Sequence, residues 1–306
     1  MRSNQPLVSV IMNCYNSDKY LREAIDSVMD QTYQNWEIIF WDNQSIDRSA
    51  EIVNSYNDER VKYYYAPQHT TLGQGRNNAL EKANGEFISF LDCDDWWEMN
   101  KIEQTLKYFS SDTIGIVHTN GNQFFQKSNR YKKFHSSKQP LGYIFEELLS
   151  NYNISLVSAM FRKKVLETMP YYFDNRFNMI EEFDFFVRIS KIWEINYCEQ
   201  ALCFWRVHSS SLTWTKKMKV QKEYEQFLQS ILLENPELSG RICVRKIEAK
   251  IAYHKFFNEW EKLKIAKRSL LLPYVFVDRR LICVYLLSFL SFKNFNKVLK
   301  WVGKSV

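Results

Sequence analysis

Three aspartates fall within four consecutive positions of the sequence, as Asp92-Cys93-Asp94-Asp95, directly after the apolar residues 86–91. Carboxylates this close repel one another unless a cation lies among them, and oxygen ligands suit Mg²⁺ or Mn²⁺. Mg²⁺ in particular is usually held by one or two carboxylates plus substrate phosphates, so a nucleotide diphosphate would complete the shell. The alternative is an acidic turn that caps the following helix.

Two further polar clusters follow apolar runs, Asn13-Cys14-Tyr15-Asn16 and Asp42-Asn43-Gln44-Ser45. A carboxylate such as Asp42 can accept a hydrogen bond from a base N–H or a ribose hydroxyl, and Tyr15 offers a flat face for a base. An Asx turn and a core aromatic are the alternatives for these two residues. Arg76, after a Gly-Gln-Gly run at a helix start, suits a phosphate or a partner carboxylate.

The elements that must position these clusters alternate between strand and helix patterns, which predicts an α/β fold with a mostly parallel sheet. Strands are predicted at 8–12, 36–41, 61–65 and 86–91, and helices after residue 17, at 47–56 and at 73–83. Ligands of open parallel sheets bind at the carboxyl ends of the strands, where all three polar clusters stand. After these elements we predict helices at 102–109, at 162–168 and from Glu181 onward. We also predict strands at 114–119 and 123–126, and an exposed hairpin or loop at 127–139.

Composition limits the class of protein. With 306 residues and 45% hydrophobic residues, the chain can bury one large domain or one domain plus an appendage. Six cysteines without CxxC or zinc spacing indicate a reducing, cytoplasmic compartment. The first residues lack the apolar stretch of a signal peptide, so export is not expected.

The chain is expected to divide at residue 213 into a domain at 1–213 and a basic helical region at 214–306. From Lys216 onward there are 19 Lys and Arg against 8 Asp and Glu, whereas the preceding chain has 22 against 27. The pattern of residues 269–292 predicts a helix that lies on an anionic membrane surface. The alternatives are that this helix packs against the first domain or against a second copy in a homodimer. Nucleic-acid binding is disfavoured, because the tail aromatics have helical core spacing.

Four motifs together resemble the family-2 glycosyltransferases. They are VSVIMNCYNSDKYLREAIDSVMDQTYQNWEIIFWDNQSIDRS, LGQGRNNALEKANGEFISFLDCDDWW, EEFDFFVRI and FWRVHSSSLT, in the order and spacing of that family between residues 6 and 213. The resemblance implies a GT-A fold and an inverting transfer of sugar from a nucleotide diphosphate donor, usually uridine-based, to a hydroxyl acceptor. A glycan or lipid-linked acceptor of bacterial surface polysaccharide synthesis is expected from the family.

The resemblance also implies site residues. Those expected at the donor nucleotide are Tyr15 and the adjoining Asn16, Asp42, Arg76, Asp92 at the ribose, and Asp95. Those expected at a Mn²⁺ or Mg²⁺ ion are Asp94, with Asp92 and His208. Glu182 is expected to be the general base, with Glu181 and Asp184 as alternatives.

The sequence departs from the family at two motifs. Asp42-Asn43-Gln44-Ser45 replaces the usual Asp-Asp-Gly-Ser, which loses one carboxylate and the turn glycine, and Glu181-Glu182 replaces Glu-Asp. Two other functions are considered. A sugar nucleotidyltransferase would need a Gly-rich basic loop after the first strand, where Asn13-Cys14-Tyr15-Asn16 stands, and a non-catalytic nucleotide-sugar-binding or scaffold protein would not need the acidic residues at 92, 94 and 182.

Overall fold

The computed structural model describes residues 5–208 and 217–301. The chain divides into two compact units, one of Met1–Phe145 with Asn153–Ser211 and the other of Glu146–Tyr152 with Leu212–Val306. The predicted boundary at residue 213 lies outside the described residues. A short segment, Glu146–Tyr152, belongs with the second unit, which the sequence did not indicate.

One sheet forms the centre of the first unit, and its nine strands are all within the described residues. They are β1 (Val8–Cys14), β2 (Trp36–Asp42), β3 (Val61–Tyr65), β4 (Phe87–Phe90), β5 (Trp96–Trp97), β6 (Ile114–Phe125), β7 (Arg130–Lys133), β8 (Ala159–Arg162) and β9 (Glu194–Val207). Their order is β3-β2-β1-β4-β8-β6-β9-β5, with β7 paired to β6. Pairs among β1 to β4 are parallel, as predicted, whereas β8 is antiparallel to both of its neighbours.

The parallel strands form where the sequence has mainly apolar runs, because helices cover both faces of such a sheet. The helices of the described chain are α1 (Asp18–Met29), α2 (Ser49–Asn54), α3 (Leu72–Leu80), α4 (Lys101–Leu106), α5 (Phe145–Ser150), α6 (Glu181–Ser190), α7 (Lys217–Glu234), α8 (Ile242–Leu263), α9 (Arg280–Leu287) and α10 (Phe292–Trp301). The predicted stripe of α1 is confirmed: Leu21, Ala24, Ile25 and Val28 are all buried.

Some predicted elements differ from those observed. The two strands expected at 114–119 and 123–126 are one strand, β6, whose pairing with β9 shifts register around Asn120, so that the ladder continues through the polar Asn-Gly step. The polar residues 127–139 do include a hairpin, formed by β7 against β6. The helix predicted at 162–168 is a 3₁₀ turn, Lys163–Thr168, and α2 is shorter than expected.

The second unit is helical in its described part. Aromatic residues of α8 and α10 form its core, among them Phe256, Phe257, Trp260 and Phe295. The interfacial helix predicted at 269–292 is wrong: this segment contains two 3₁₀ turns, Arg268–Leu270 and Leu272–Tyr274, before the short α9. Pro273 lies in the second turn and lacks the N–H that a continuous helix needs. Within residues 5–208 and 217–301, every helix is too short or too polar to cross a bilayer.

Candidate functional site

The loops after β1 and β4 form the centre of the candidate site. Ile11 pairs with Phe90, so Asn13 and Asp92 follow at matching positions beyond the paired residues. The Cys93 thiol donates to the Asn13 carbonyl at 3.3 Å. A hydrogen bond with Cys93 also lowers the pKa of Cys14 to about 7. Cys93, a residue with no chemical role in the sequence motif, thus ties the acidic turn to the end of β1.

Asp94 and His208 come together although 114 positions separate them, because β9 ends at Val207 beside the acidic turn. His208 Nε2 lies 2.8 Å from Asp94 Oδ2. The Asp94 side chain is one-third exposed, and the His208 side chain is 14% exposed. The two side chains are therefore close enough to share a ligand and open enough to admit one.

Asp95 differs from Asp94, because its side chain is buried and is hydrogen-bonded to the protein backbone. Its Oδ1 accepts from the Arg206 backbone N–H at 2.8 Å. Burial, together with the charges of Asp94 and Asp92, raises the pKa of Asp95 well above its usual range. The structure therefore places Asp95 under the acidic turn as an anchor for β9, and shows no exposed face that lines a donor pocket.

Arg206 is a residue of the site that sequence reasoning missed. Its Nε donates to the Asp94 carbonyl at 2.8 Å, and its Nη2 lies 2.5 Å from Glu23 on α1. The guanidinium carbon also lies 4.4 Å from the centres of the Tyr20 and Trp96 rings. Arg206 thus holds the Asp94 backbone in place, and its position two residues before His208 in the FWRVH motif was the available signal.

Arg76 and two carboxylates form a second part of the site. Arg76 is buried on α3, and its Nη1 donates to Glu181 Oε1 at 2.9 Å while Nη2 lies 3.5 Å from Asp92 Oδ1. Loss of solvation and the neighbouring charges of Asp94 and Glu181 raise the pKa of Asp92, and Arg76 opposes that shift. The predicted role of Arg76 toward a partner carboxylate is therefore seen in the structure.

The three acidic residues at the start of α6 are in different environments. Glu181 is ion-paired with Arg76, and Asp184 accepts two hydrogen bonds from Arg188, at 3.0 and 2.8 Å. Glu182 is partly buried beside them, and burial raises its pKa to about 8, with smaller contributions from Glu181 and Asp92. Of the three, Glu181 and Asp184 are held by arginines, and Glu182 is the one whose pKa is raised to about 8.

Asp42 is fully buried at the end of β2. Its Oδ1 accepts from the Ser45 backbone N–H at 2.7 Å, and its Oδ2 accepts from the Tyr63 hydroxyl at 2.7 Å. Asp42 therefore closes the loop after β2 through the backbone N–H three residues on, one residue further than in the Asx turn that was its alternative. Gln44 within this loop has a φ of 69°, which explains why the family pattern has glycine there.

Tyr15 and Asn16 lie in the loop after β1. Tyr15 is 53% exposed, and its ring centre lies 4.4 Å from that of His69, which the sequence did not single out. The Tyr15 ring is thus exposed and is not a core aromatic. Asn16 instead joins loops, since its N–H donates to Ser45 Oγ at 3.0 Å and its Oδ1 accepts from the Ile46 N–H at 2.8 Å.

The side chains at this edge suit a divalent cation only in part. Within residues 5–208 and 217–301, no three His, Cys, Asp or Glu side chains converge as a ready metal cluster. Asp94 and His208 are paired, while Asp92 faces Arg76. Asp94 and His208 would supply one oxygen and one nitrogen ligand of the kinds that Mn²⁺ accepts, so Asp92 and phosphate oxygens would have to complete the shell.

Comparison with known proteins decides the family. Residues 9–169, just over half of the chain, match the model described as glycosyl transferase family 2. The chain belongs to this family. An uncharacterized family relative, a glycosyltransferase of Haemophilus influenzae, is 32% identical over 219 residues, covering 70% of this chain and 84% of the relative.

Other comparisons agree with this membership. WfgD of Escherichia coli, a UDP-Glc:alpha-D-GlcNAc-diphosphoundecaprenol beta-1,3-glucosyltransferase, is 26% identical over 234 residues, covering 75% of this chain and 88% of WfgD. S. aureus TarS 1–349 in complex with UDP-GlcNAc superposes with a TM-score of 0.64 at 18% identity, over 90% of this chain and 82% of TarS. The mannosyltransferase PcManGT from Pyrobaculum calidifontis, in complex with GDP-Man and Mn²⁺, gives 0.62 at 16% identity, over 97% and 84%. The family-2 GT-A fold predicted from the sequence is thus confirmed.

Proposed function

We propose that this glycosyltransferase moves a sugar from a UDP-sugar to a hydroxyl of a lipid-linked glycan, with inversion at the anomeric carbon, in cell-surface polysaccharide synthesis. The observation that carries the proposal is that the carboxyl groups of Glu182, Asp92 and Asp94 interact electrostatically with one another. The pKa of Glu182 is raised to about 8, and the negative charge of Asp92 contributes to that rise. The pKa of Asp92 is raised in turn by the charge of Asp94, which lies beside His208. The proposed base and the proposed metal-binding corner are thus electrostatic neighbours.

The donor end is proposed from the loops at the strand ends. The exposed ring of Tyr15 would stack on the base, and Arg76 would offset the negative charge of the donor side. Uridine is proposed because WfgD is named for a UDP-Glc donor and TarS has been solved with UDP, while PcManGT was solved with GDP-Man. Asn43 and Gln44 replace residues of the usual motif, so the base contact is the part of the donor site to test first.

The metal would be held by Asp94, with His208 and Asp92, and would neutralise the leaving diphosphate when bound. The chain's own residues supply the remaining steps. Glu182, ionised, takes the proton from the acceptor hydroxyl as its oxygen attacks the anomeric carbon, and the nucleoside diphosphate leaves from the opposite face. Arg76 keeps Glu181 and Asp92 in place, and Arg206 fixes the acidic turn.

The acceptor is proposed from the relatives. WfgD is named for a diphosphoundecaprenol-linked acceptor, and a Bacillus subtilis relative, 32% identical over 162 residues, is named as a putative teichuronic acid biosynthesis glycosyltransferase. A lipid-linked acceptor would place the protein at the inner face of the cytoplasmic membrane as a peripheral protein.

The proposal is tested with a panel of UDP- and GDP-sugars, Mn²⁺ and a lipid-diphosphate saccharide acceptor, by measuring nucleoside diphosphate release and product anomer. Glu182→Gln is expected to lower transfer by about 10²–10⁴-fold, the usual contribution of a general base. Glu51→Gln, an exposed glutamate on α2, is the matched control and should behave as wild type. Binding of a nucleotide sugar without turnover by any acceptor would instead favour a sensor or scaffold.

A further inference from the structure

A depression lies within the helical unit. It encloses about 340 Å³ between the end of α8, the 3₁₀ turn Arg268–Leu270 and the start of α10. Its lining residues include three cations, Lys264, Arg268 and Lys293, and no Asp or Glu. A depression with cations and without carboxylates is suited to an anion.

The three cations are held in different ways. Arg268 is fixed, since its Nε donates to Ser288 Oγ at 2.9 Å and its Nη2 donates to the Ser288 carbonyl at 2.8 Å. Lys264, in a left-handed conformation with φ of 58°, turns the chain at the end of α8. Lys293 stands in the first turn of α10, whose Ser291 side chain accepts from the Asn294 N–H at 3.3 Å. This helix start adds partial positive charge to the same depression.

The surroundings of the depression are apolar and exposed, which is unusual beside so many cations. Leu263 and Ile265, on either side of Lys264, are 46% and 62% exposed. Leu286 and Phe289 at the end of α9 are 61% and 64% exposed, and the Phe289 ring lies 3.9 Å from the Arg268 guanidinium carbon. Solvent-exposed apolar side chains around a cationic site indicate an amphipathic partner with an anionic headgroup and an apolar tail.

We infer that this depression binds the phosphate headgroup of an anionic phospholipid, with the exposed apolar side chains inserted among the acyl chains. Lys264, Arg268 and Lys293 would contact the phosphate oxygens, and the indole of Trp260 forms the apolar floor. The inference deepens the proposed function and rests on it, because a lipid-linked acceptor would be presented at the same membrane. The site belongs to turns and helix ends, not to the single long helix predicted from the sequence.

The test is flotation of the full chain with phosphatidylcholine vesicles, with and without phosphatidylglycerol, at about 0.15 M salt, where diffuse charge is screened beyond about 8 Å. A double variant in the depression, Lys264→Gln/Lys293→Gln, is called the pocket pair. It is compared with a control pair, Lys219→Gln/Lys222→Gln, which changes two exposed lysines of α7 and removes the same amount of charge. We expect binding only with phosphatidylglycerol, a loss of about twentyfold for the pocket pair, and a loss under about threefold for the control pair. Ile265→Ser should weaken binding without a change in charge.

Three results would overturn the inference: equal losses for both pairs, equal binding to vesicles without phosphatidylglycerol, or thermal stabilisation of the protein by inorganic phosphate that Lys264→Gln/Lys293→Gln abolishes while vesicle binding is retained. The last result would assign the depression to a soluble phosphate. Vesicle binding is measured without a sugar donor, and donor turnover is measured without vesicles. Failure of the lipid site and failure of the proposed transferase reaction are therefore distinguishable.

Discussion

The guanidinium of Arg76 lies between Glu181 and Asp92, 2.9 Å from the Oε1 atom of the first and 3.5 Å from the Oδ1 atom of the second. It joins α6, which carries Glu182, to the acidic turn after β4. The other carboxylate oxygen of Glu181, Oε2, is buried without a hydrogen-bond partner. The negative charge of Glu181 is therefore offset mainly by Arg76.

Removal of Arg76 is expected to destabilise the protein strongly. Arg76→Met leaves a buried carboxylate uncompensated, which should lower the free energy of unfolding by about 3–5 kcal/mol in urea titration. Arg48→Met, which breaks an exposed pair with Glu51, should leave the unfolding midpoint almost unchanged. The double variant Arg76→Met/Glu181→Met should recover much of the loss, and equal effects of Arg76→Met and Arg48→Met would contradict this account.

The pH dependence of transfer should follow Glu182. Its pKa is raised to about 8, so the carboxyl is protonated below that pH and only the ionised form accepts a proton. kcat/KM is therefore expected to rise with pH and to reach a plateau above about 8. Glu182→Gln should remove this rise along with most of the activity, whereas a flat wild-type profile from about pH 6 to 9 would count against Glu182 as the base.

A buried lysine predicts a separate pH effect, on stability. Lys101 is fully buried, with Nζ 3.3 Å from Ser89 Oγ and 3.8 Å from the Trp97 ring centre, and burial lowers its pKa from 10.5 to about 7. Between these values the unfolded chain binds the proton and the folded protein does not, so stability from this group increases as pH rises and is lowest below about 7. Lys101→Met should therefore stabilise the protein more at pH 7 than near pH 10.

The control for this prediction is Lys107→Met, which changes an exposed lysine just after the end of α4. It should show no comparable difference between the two pH values in thermal melts. A stability difference between Lys101→Met and wild type that stays constant with pH would show that Lys101 keeps an ordinary pKa.

The turn after β2 offers a test of backbone strain. Gln44 has a φ of 69°, a conformation that costs a side chain about 1 kcal/mol or more and costs glycine little. Gln44→Gly should raise the free energy of unfolding by about 0.5–1 kcal/mol. Gln104→Gly, within α4, should lower it by about 1 kcal/mol. The same sign for both substitutions would exclude strain at Gln44.

Sequence patterns predicted the elements whose residues interact locally or lie wholly in the core. β1 and β2 follow from mainly apolar runs, and the stripe of α1 follows from helical spacing. The acidic turn was placed correctly because parallel strands end at a common edge. The pairing of Asp184 with Arg188, four residues on, is a local contact of the same kind.

Features that depend on distant pairing were not predictable in the same way. The long β6 is stabilised by β9, nearly 80 residues later, so its polar Asn120 step is not a break. Arg206 joins α1 to the acidic turn through contacts that no local pattern encodes. The interfacial helix predicted at 269–292 is not formed, because composition alone does not show how Pro273 divides this segment.

The most direct test of the central claim is the affinity for UDP with and without Mn²⁺, measured by calorimetry for wild type and Asp94→Ala. Asp112→Ala, which changes a fully exposed aspartate, serves as the control. We expect Mn²⁺ to tighten UDP binding by at least about tenfold in wild type and in Asp112→Ala, and by very little in Asp94→Ala. Affinity that is equal in all three proteins, or independent of Mn²⁺ in wild type, would contradict a metal-assisted donor site at Asp94 and His208.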